Sequence, residues 1–168
     1  MMKNLFPVIV LGFVFLSSCK SYNDKEYGPE EFSTAFEDGD EWLFEGPVEA
    51  IAVLNFNPEE YGFSKENVGG MRLKTISLNT DNENGFGVFE SLKIEVSSPN
   101  TEMLTIGVLN SVPDANSVEI QGLDQSKIKN FKEVDEYYLH ISGNLKNELE
   151  SSFNVSGELT LAVESSDE

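Results

Sequence analysis

The sequence predicts an all-β protein, an antiparallel β-sandwich of about seven or eight strands with an immunoglobulin-like arrangement. From residue 42 onward, apolar side chains recur at every second position, as in strands with one buried face. Turn-forming pairs separate these apolar runs, and short strands between such turns are typical of sandwiches. The pairs are Asn57-Pro58, Gly69-Gly70, Asn84-Gly85, Pro99-Asn100, Pro113-Asp114 and Gly143-Asn144.

Each predicted strand has its own apolar pattern. Residues 48–56 are nearly all apolar, which predicts a strand covered on both faces. In residues 71–78 the alternation slips between Leu73 and Ile76, which predicts a β-bulge. The later strands alternate regularly, with inward positions at Leu92, Ile94 and Val96; Leu104, Ile106 and Val108; Val118 and Ile120; Tyr137, Leu139 and Ile141; and Leu159, Leu161 and Val163.

Length and charge limit what the chain can do. It has 168 residues, of which 39% are apolar, enough for one domain with a core of its own. Its net charge of −19 excludes binding of nucleic acid through phosphate contacts, which need clustered Lys and Arg. The charge serves either to attract cations or basic partners or to keep the surface soluble, and the scattered acids favour solubility.

The first 18 residues are predicted to be a signal peptide. Lys3 gives the segment a positive start, and the apolar run over residues 5–16 is too short to span a bilayer, which takes about 20 residues. The run ends in Leu16-Ser17-Ser18-Cys19, an aliphatic residue and two small residues before a cysteine. Because Cys19 is the sole cysteine, it has no disulfide partner. An ordinary buried cysteine behind an ordinary signal peptide is the alternative.

Leu16-Ser17-Ser18-Cys19 resembles the lipobox of Gram-negative bacterial lipoproteins. The resemblance implies that the leader is cut before Cys19, that diacylglycerol alkylates the thiol, and that the new amine is acylated. It implies an envelope protein held in the outer membrane by acyl chains, on a side that the sequence leaves open. The order of segments over residues 70–164 is similar to that of small β-sandwich lipoproteins of unassigned function, a likeness that supports the fold and carries no catalytic motif.

The sequence therefore predicts four parts. They are the signal peptide, residues 1–18; the lipidated cysteine with a flexible acidic tether, residues 19–41; the sandwich, residues 42–164; and a disordered tail, residues 165–168. The tether is predicted because its many acids show no sustained apolar period.

We expect no catalytic residues and no enzyme activity. His140 is the sole histidine, so a metal site with two imidazoles is impossible. The alternation of its strand predicts that His140 faces solvent without a partner. The sequence contains neither the G-x-S-x-G motif of serine hydrolases nor a phosphate-binding glycine loop.

Calcium is the one cofactor that the sequence leaves open. Asp81 and Glu83 stand close before a glycine, and Asp38 and Asp40 stand on either side of another, so that carboxylates could supply ligands for a hard cation. Neither segment has the spacing of an EF-hand. Polar hairpin turns use the same residue types for backbone reasons, and that interpretation is favoured.

Two aromatic residues are candidates for ligand contacts. Tyr61 and Tyr138 are expected to be exposed, whereas most other aromatic residues, Trp42 among them, are expected to fill the core. The predicted function is a non-catalytic binding or scaffold module whose partner is an envelope protein or a glycan. The alternative is a glycan-binding accessory lipoprotein of a nutrient-uptake system.

Overall fold

A computed structural model describes residues 22–37, 42–99, 101–128 and 136–166. In these residues the chain forms eight strands: β1 (Tyr22–Phe36), β2 (Gly46–Asn55), β3 (Val68–Asn79), β4 (Phe89–Ser98), β5 (Thr101–Leu109), β6 (Ser117–Gln121), β7 (Glu136–Leu145) and β8 (Phe153–Ser166). Three short 3-10 helices lie in the connections, at Pro58–Tyr61, Lys65–Asn67 and Phe86–Val88.

The strands form two four-stranded antiparallel sheets, which confirms the predicted sandwich. One sheet has the order β1-β8-β3-β6 and the other the order β2-β7-β4-β5. The strand order differs from the immunoglobulin-like one expected from the sequence, because the first strand pairs with the last and not with the second. With β1, β3, β6 and β8 in one sheet and β2, β4, β5 and β7 in the other, the chain crosses repeatedly between the sheets, as in a jelly roll. Apolar alternation shows which face of a strand is buried, but it does not identify the neighbouring strand.

The predicted flexible tether of residues 19–41 is wrong over most of its length. Residues 22–36 form β1, which pairs with β8 from Tyr22↔Ser166 to Phe36↔Phe153. Its side chains Tyr27, Phe32 and Phe36 are buried in the core. Tyr27 and Phe32 are an odd number of residues apart, and they face the same way because the register shifts between Tyr27 and Glu30. This bulge hides the alternation that would have predicted a strand.

Two further predictions, the disordered tail and the doubly covered strand, are also wrong. The prediction of a disordered tail over residues 165–168 is wrong for Ser165 and Ser166, which are buried at the end of β8. Residues 167 and 168 lie outside the described residues. The strand predicted over residues 48–56 is not covered on both faces. β2 lies at the edge of its sheet, and Ile51 and Val53 are 48% and 52% exposed.

The core lies between the two sheets and is rich in phenylalanine at one end. The ring centroid of Phe89 lies 5.1 Å from that of Phe36 and 5.1 Å from that of Phe153. The ring centroid of Phe86 lies 5.5 Å from that of Phe153. Rings at these separations pack favourably beyond the area that they bury. The predicted bulge in β3 is confirmed, because its register with β8 shifts between Leu73 and Thr75.

The sandwich has two ends, which we name after β1. The Tyr22 end is where β1 begins, β8 ends and β3 begins. The Phe36 end is where β1 ends and β8 begins, and β2 starts shortly afterwards along the chain. Since β1 crosses from one end to the other, residues 42–44 follow at the Phe36 end.

Candidate functional site

A partly buried polar network lies on the outer face of the sheet β2-β7-β4-β5. His140 of β7 lies between Glu49 of β2 and Ser97 of β4, with His140 Nδ1 3.1 Å from Glu49 Oε1 and His140 Nε2 2.9 Å from Ser97 Oγ. The predicted solvent-facing, partnerless His140 is therefore wrong, since the residue is only 8% exposed. It does face outward, and its two ring nitrogens contact Glu49 and Ser97 on the strands to either side.

The network continues across β4 to β5, the edge strand on the side opposite β2. Glu95 pairs with His140 in the β4–β7 ladder, accepts a hydrogen bond from Thr105 Oγ1 at 2.8 Å, and lies 2.8 Å from Lys93 Nζ. Burial raises the pKa of Glu95, but the hydrogen bonds from Lys93 and Thr105 and the charges of Lys93 and His140 outweigh it, so that this pKa lies below its usual value. These contacts thus favour the ionised form of the carboxylate over the protonated one.

The order Ser97–His140–Glu49 is that of a catalytic triad, but its surroundings differ from those of an acyl-transfer site. Such a site needs amide donors aimed at the developing oxyanion. The Ser98 amide, next along the chain, already donates to Thr101 Oγ1 at 3.0 Å. Ser97 itself lies within the β4–β7 ladder, opposite Tyr138. In this setting the three side chains connect three adjacent strands of one sheet.

A threonine substitution tests the strength of this network. Thr105→Val is expected to raise the pKa of Glu95 and to lower the free energy of unfolding at neutral pH by about 1.5 kcal/mol, as for a lost hydrogen bond to a charged group. Because the folded pKa of Glu95 lies below the unfolded value, its contribution is present above the unfolded pKa and is lost as the pH falls through the folded pKa. In the variant the folded pKa lies closer to the unfolded value, so the contribution of Glu95 is smaller and its loss is complete at a higher pH.

Carboxyl NMR titration and denaturant unfolding at several acidic pH values measure both effects. The matched control is Thr160→Val, at an outward position of β8 in the other sheet, which should leave the pKa of Glu95 unchanged. An equal loss of stability in the two variants at every pH would show that the Thr105 hydroxyl does not hold Glu95 ionised.

Two exposed aromatic residues stand beside β2 at the Phe36 end. Leu43 forms an isolated antiparallel bridge with Leu149, and it is 1% exposed. Its neighbours Trp42 and Phe44 are 40% and 58% exposed. The expectation that Trp42 belongs to the core is wrong, because only the middle residue of this triplet points inward. The acids around it in the sequence, among them Glu45, were the signal that this segment lies at the surface.

The two tyrosines predicted to contact a ligand lie in different surroundings. Tyr61, the last residue of the first 3-10 helix, is 38% exposed, and its ring centroid lies 4.1 Å from that of Tyr27. Tyr138 is half-buried on the outer face of β7 and donates to Glu136 at 2.6 Å. No ring contact joins Tyr61 to Tyr138 in the part of the chain that the structure describes. A single aromatic platform made by these two residues is therefore not formed.

The predicted calcium ligands are only partly visible. Asp81 and Glu83 lie in an exposed turn before Gly85, in which the Asn84 amide donates to Asn82 Oδ1 at 3.0 Å. Asp81 lines a surface hollow of about 550 Å³ together with Glu37, whereas Asp38 and Asp40 lie outside the described residues. Among the residues described, no group of three or more His, Cys, Asp and Glu side chains could hold a metal ion.

The space between the sheets does not form a ligand chamber. A cavity lined by apolar groups of Met71, Ile106 and Leu159 beside Tyr27 has a volume of about 30 Å³, far below the few hundred that a small-molecule site usually offers. Leu16, Ser17, Ser18 and Cys19 lie outside the described residues.

Comparison with known proteins assigns the chain to no family. No protein-family model matches the chain, and no curated protein matches it. Similar solved structures include desmodium yellow mottle tymovirus (TM-score 0.29, 10% identity, 99% of this chain and 97% of that one), Cocksfoot mottle virus (0.25, 10%, 100% and 98%) and turnip yellow mosaic virus (0.24, 15%, 83% and 96%). Because these TM-scores are low, the jelly-roll assignment rests on the strand order alone. In the described ranges, none of the helices has the length and apolar character that crossing a membrane requires.

Proposed function

We propose that this chain is a lipid-anchored lipoprotein of the Gram-negative cell envelope, which acts at the outer membrane as a non-catalytic binding or scaffold module. One observation carries the proposal: an apolar leader that ends in Leu16-Ser17-Ser18-Cys19. Each buried methylene of an acyl chain contributes about 0.8 kcal/mol, so that several chains on one cysteine hold a protein stably on a bilayer. The small interior cavity and the outward-facing network support a role in binding over one in catalysis.

In this proposal the domain lies directly on the membrane. Tyr22 begins β1 three residues after Cys19, a stretch that reaches at most about 10 Å. A flexible tether of about twenty residues would have allowed the domain to turn freely. With so short a connection, the Tyr22 end faces the lipid and the Phe36 end faces away from it.

Metabolic labelling with an alkyne analogue of palmitate tests the anchor. The full-length chain is expected to take up the label and to sediment with the outer membrane, and Cys19→Ser is expected to lose both properties because the acceptor thiol is gone. Ser18→Ala is the matched control, since it keeps a small residue before the cysteine and should be labelled normally. Full-length protein without label, or a Cys19→Ser variant that stays labelled, would disprove lipidation at this position.

The second candidate function is a glycan-binding accessory lipoprotein of a nutrient-uptake system. The exposed Trp42 ring favours it, because aromatic rings can stack on sugar rings. The choice between a glycan and a protein partner can be decided at that ring.

A further inference from the structure

We propose that the surface made by Trp42, Phe44, Glu148 and Glu150, here called the aromatic edge, binds a basic segment of a partner protein. This inference rests on the proposed function as a binding module and adds to it the location of the site and the chemistry of the partner. Lysine or arginine side chains would lie over the aromatic rings and pair with the carboxylates.

The backbone holds the aromatic edge in a fixed shape. The Leu43 amide donates to the Leu149 carbonyl at 2.9 Å, and the Leu149 amide donates to the Leu43 carbonyl at 2.8 Å. Leu43 is buried and Leu149 packs against the core, so the residues on either side of each leucine point outward. In an antiparallel pair this places Trp42 across from Glu150 and Phe44 across from Glu148.

The charge around the aromatic edge is negative. Glu45, Glu148 and Glu150 are exposed. Lys146, the nearest cation along the chain, donates to the Gly87 carbonyl at 2.6 Å. The whole chain carries a net charge of −19, which adds to the attraction for a cationic partner.

Exposed aromatic rings next to carboxylates match one class of ligand in particular. A guanidinium or ammonium group is attracted by the ring face, best by that of tryptophan, and also by the carboxylates. Anionic lipid and nucleic acid would be repelled by the same acids. A neutral sugar could stack on Trp42 and donate hydroxyl hydrogen bonds to Glu148 and Glu150, but it has no positive charge to pair with them. The aromatic edge therefore fits a basic protein segment best.

Its location suits such a partner. Residues 42–44 follow β1 at the Phe36 end, whereas β1 begins at the opposite end with Tyr22, three residues after Cys19 in the sequence. On a lipid-anchored chain, the aromatic edge would point away from the membrane, where a second protein can reach it.

Trp42 is the sole tryptophan, so its fluorescence reports on the site directly. Titration of the full-length protein in detergent with a peptide of seven arginines is expected to change the Trp42 emission with saturation. The double variant Glu148→Gln/Glu150→Gln should weaken the apparent affinity by about 3- to 10-fold, and Phe44→Ala by about 2- to 5-fold. Raising the salt concentration should weaken binding of the peptide to the unsubstituted protein more than binding to the double variant.

Glu158→Gln is the matched control, because Glu158 is an exposed acid on β8 in the other sheet and its loss should leave the affinity unchanged. An unchanged Trp42 emission, or a change that the double variant does not weaken, would overturn the proposal. Saturable binding of maltoheptaose in place of the peptide would assign the edge to a glycan. Lipidation is measured separately by the Cys19 labelling, so a failure here leaves the anchor unaffected.

Discussion

Removal of residues 22–36 is expected to unfold the domain. This segment is β1, and it pairs with β8 from one end of the sandwich to the other. Without it, β8 would become an open edge strand and the core would lose Tyr27, Phe32 and Phe36. Each truncation of a buried aromatic side chain costs about 3–5 kcal/mol, and whole domains are stable by only about 5–15 kcal/mol. Circular dichroism and thermal unfolding measure the result.

A point variant makes the same test without shortening the chain. Phe36→Ala is expected to lower the free energy of unfolding by about 3–5 kcal/mol, because its ring is fully buried and lies 5.1 Å from Phe89. Glu31→Ala is the control, since Glu31 is exposed on the same strand and should change the stability by less than about 0.5 kcal/mol. A deletion variant that unfolds at the temperature of the full chain would mean that residues 22–36 are a tether after all.

The contrast between β1 and β3 shows which β-bulges can be predicted from a sequence. The slip in β3 lies between Leu73 and Ile76, inside a run that is apolar on both sides, so the bulge could be predicted. The slip in β1 falls at Gly28-Pro29 among scattered acids, and a proline within a run argues against a strand. Proline is tolerated there because β1 is an edge strand, a fact that only the sheet order reveals.

The surface was harder to predict than the core, because exposure depends on neighbours from distant parts of the chain. Ile51 and Val53 looked buried by composition, yet β2 has a partner strand on one side only. His140 looked exposed by alternation, yet Glu49 and Ser97 on neighbouring strands enclose it. The sequence separations in these two contacts, 91 and 43 residues, are beyond the reach of any local pattern.

Gly122→Ala is expected to destabilise the domain strongly, because here the backbone runs unusually close to β3. A β-carbon at this position would lie 1.7 Å from the Leu73 carbonyl oxygen, far inside van der Waals contact. The Gly122 amide donates to Lys74 of β3 at 3.0 Å, and the next amide donates to Ile106 of β5 at 2.8 Å. The chain therefore joins the two sheets at this point, and moving it away from Leu73 would weaken both hydrogen bonds.

We expect a loss of about 3 kcal/mol or more in the free energy of unfolding, which is roughly 6–12 °C in Tm for a domain of this size. Gly62→Ala is the control, because Gly62 has φ +78° but nothing within 4 Å of its added β-carbon. That substitution should cost only the strain of a left-handed alanine, about 1–2 kcal/mol. Equal losses in the two variants would show that the approach of Gly122 to Leu73 does not exist in the folded protein. A clearly larger loss for Gly122→Ala is expected, since backbone overlap cannot be relieved by rotating a side chain.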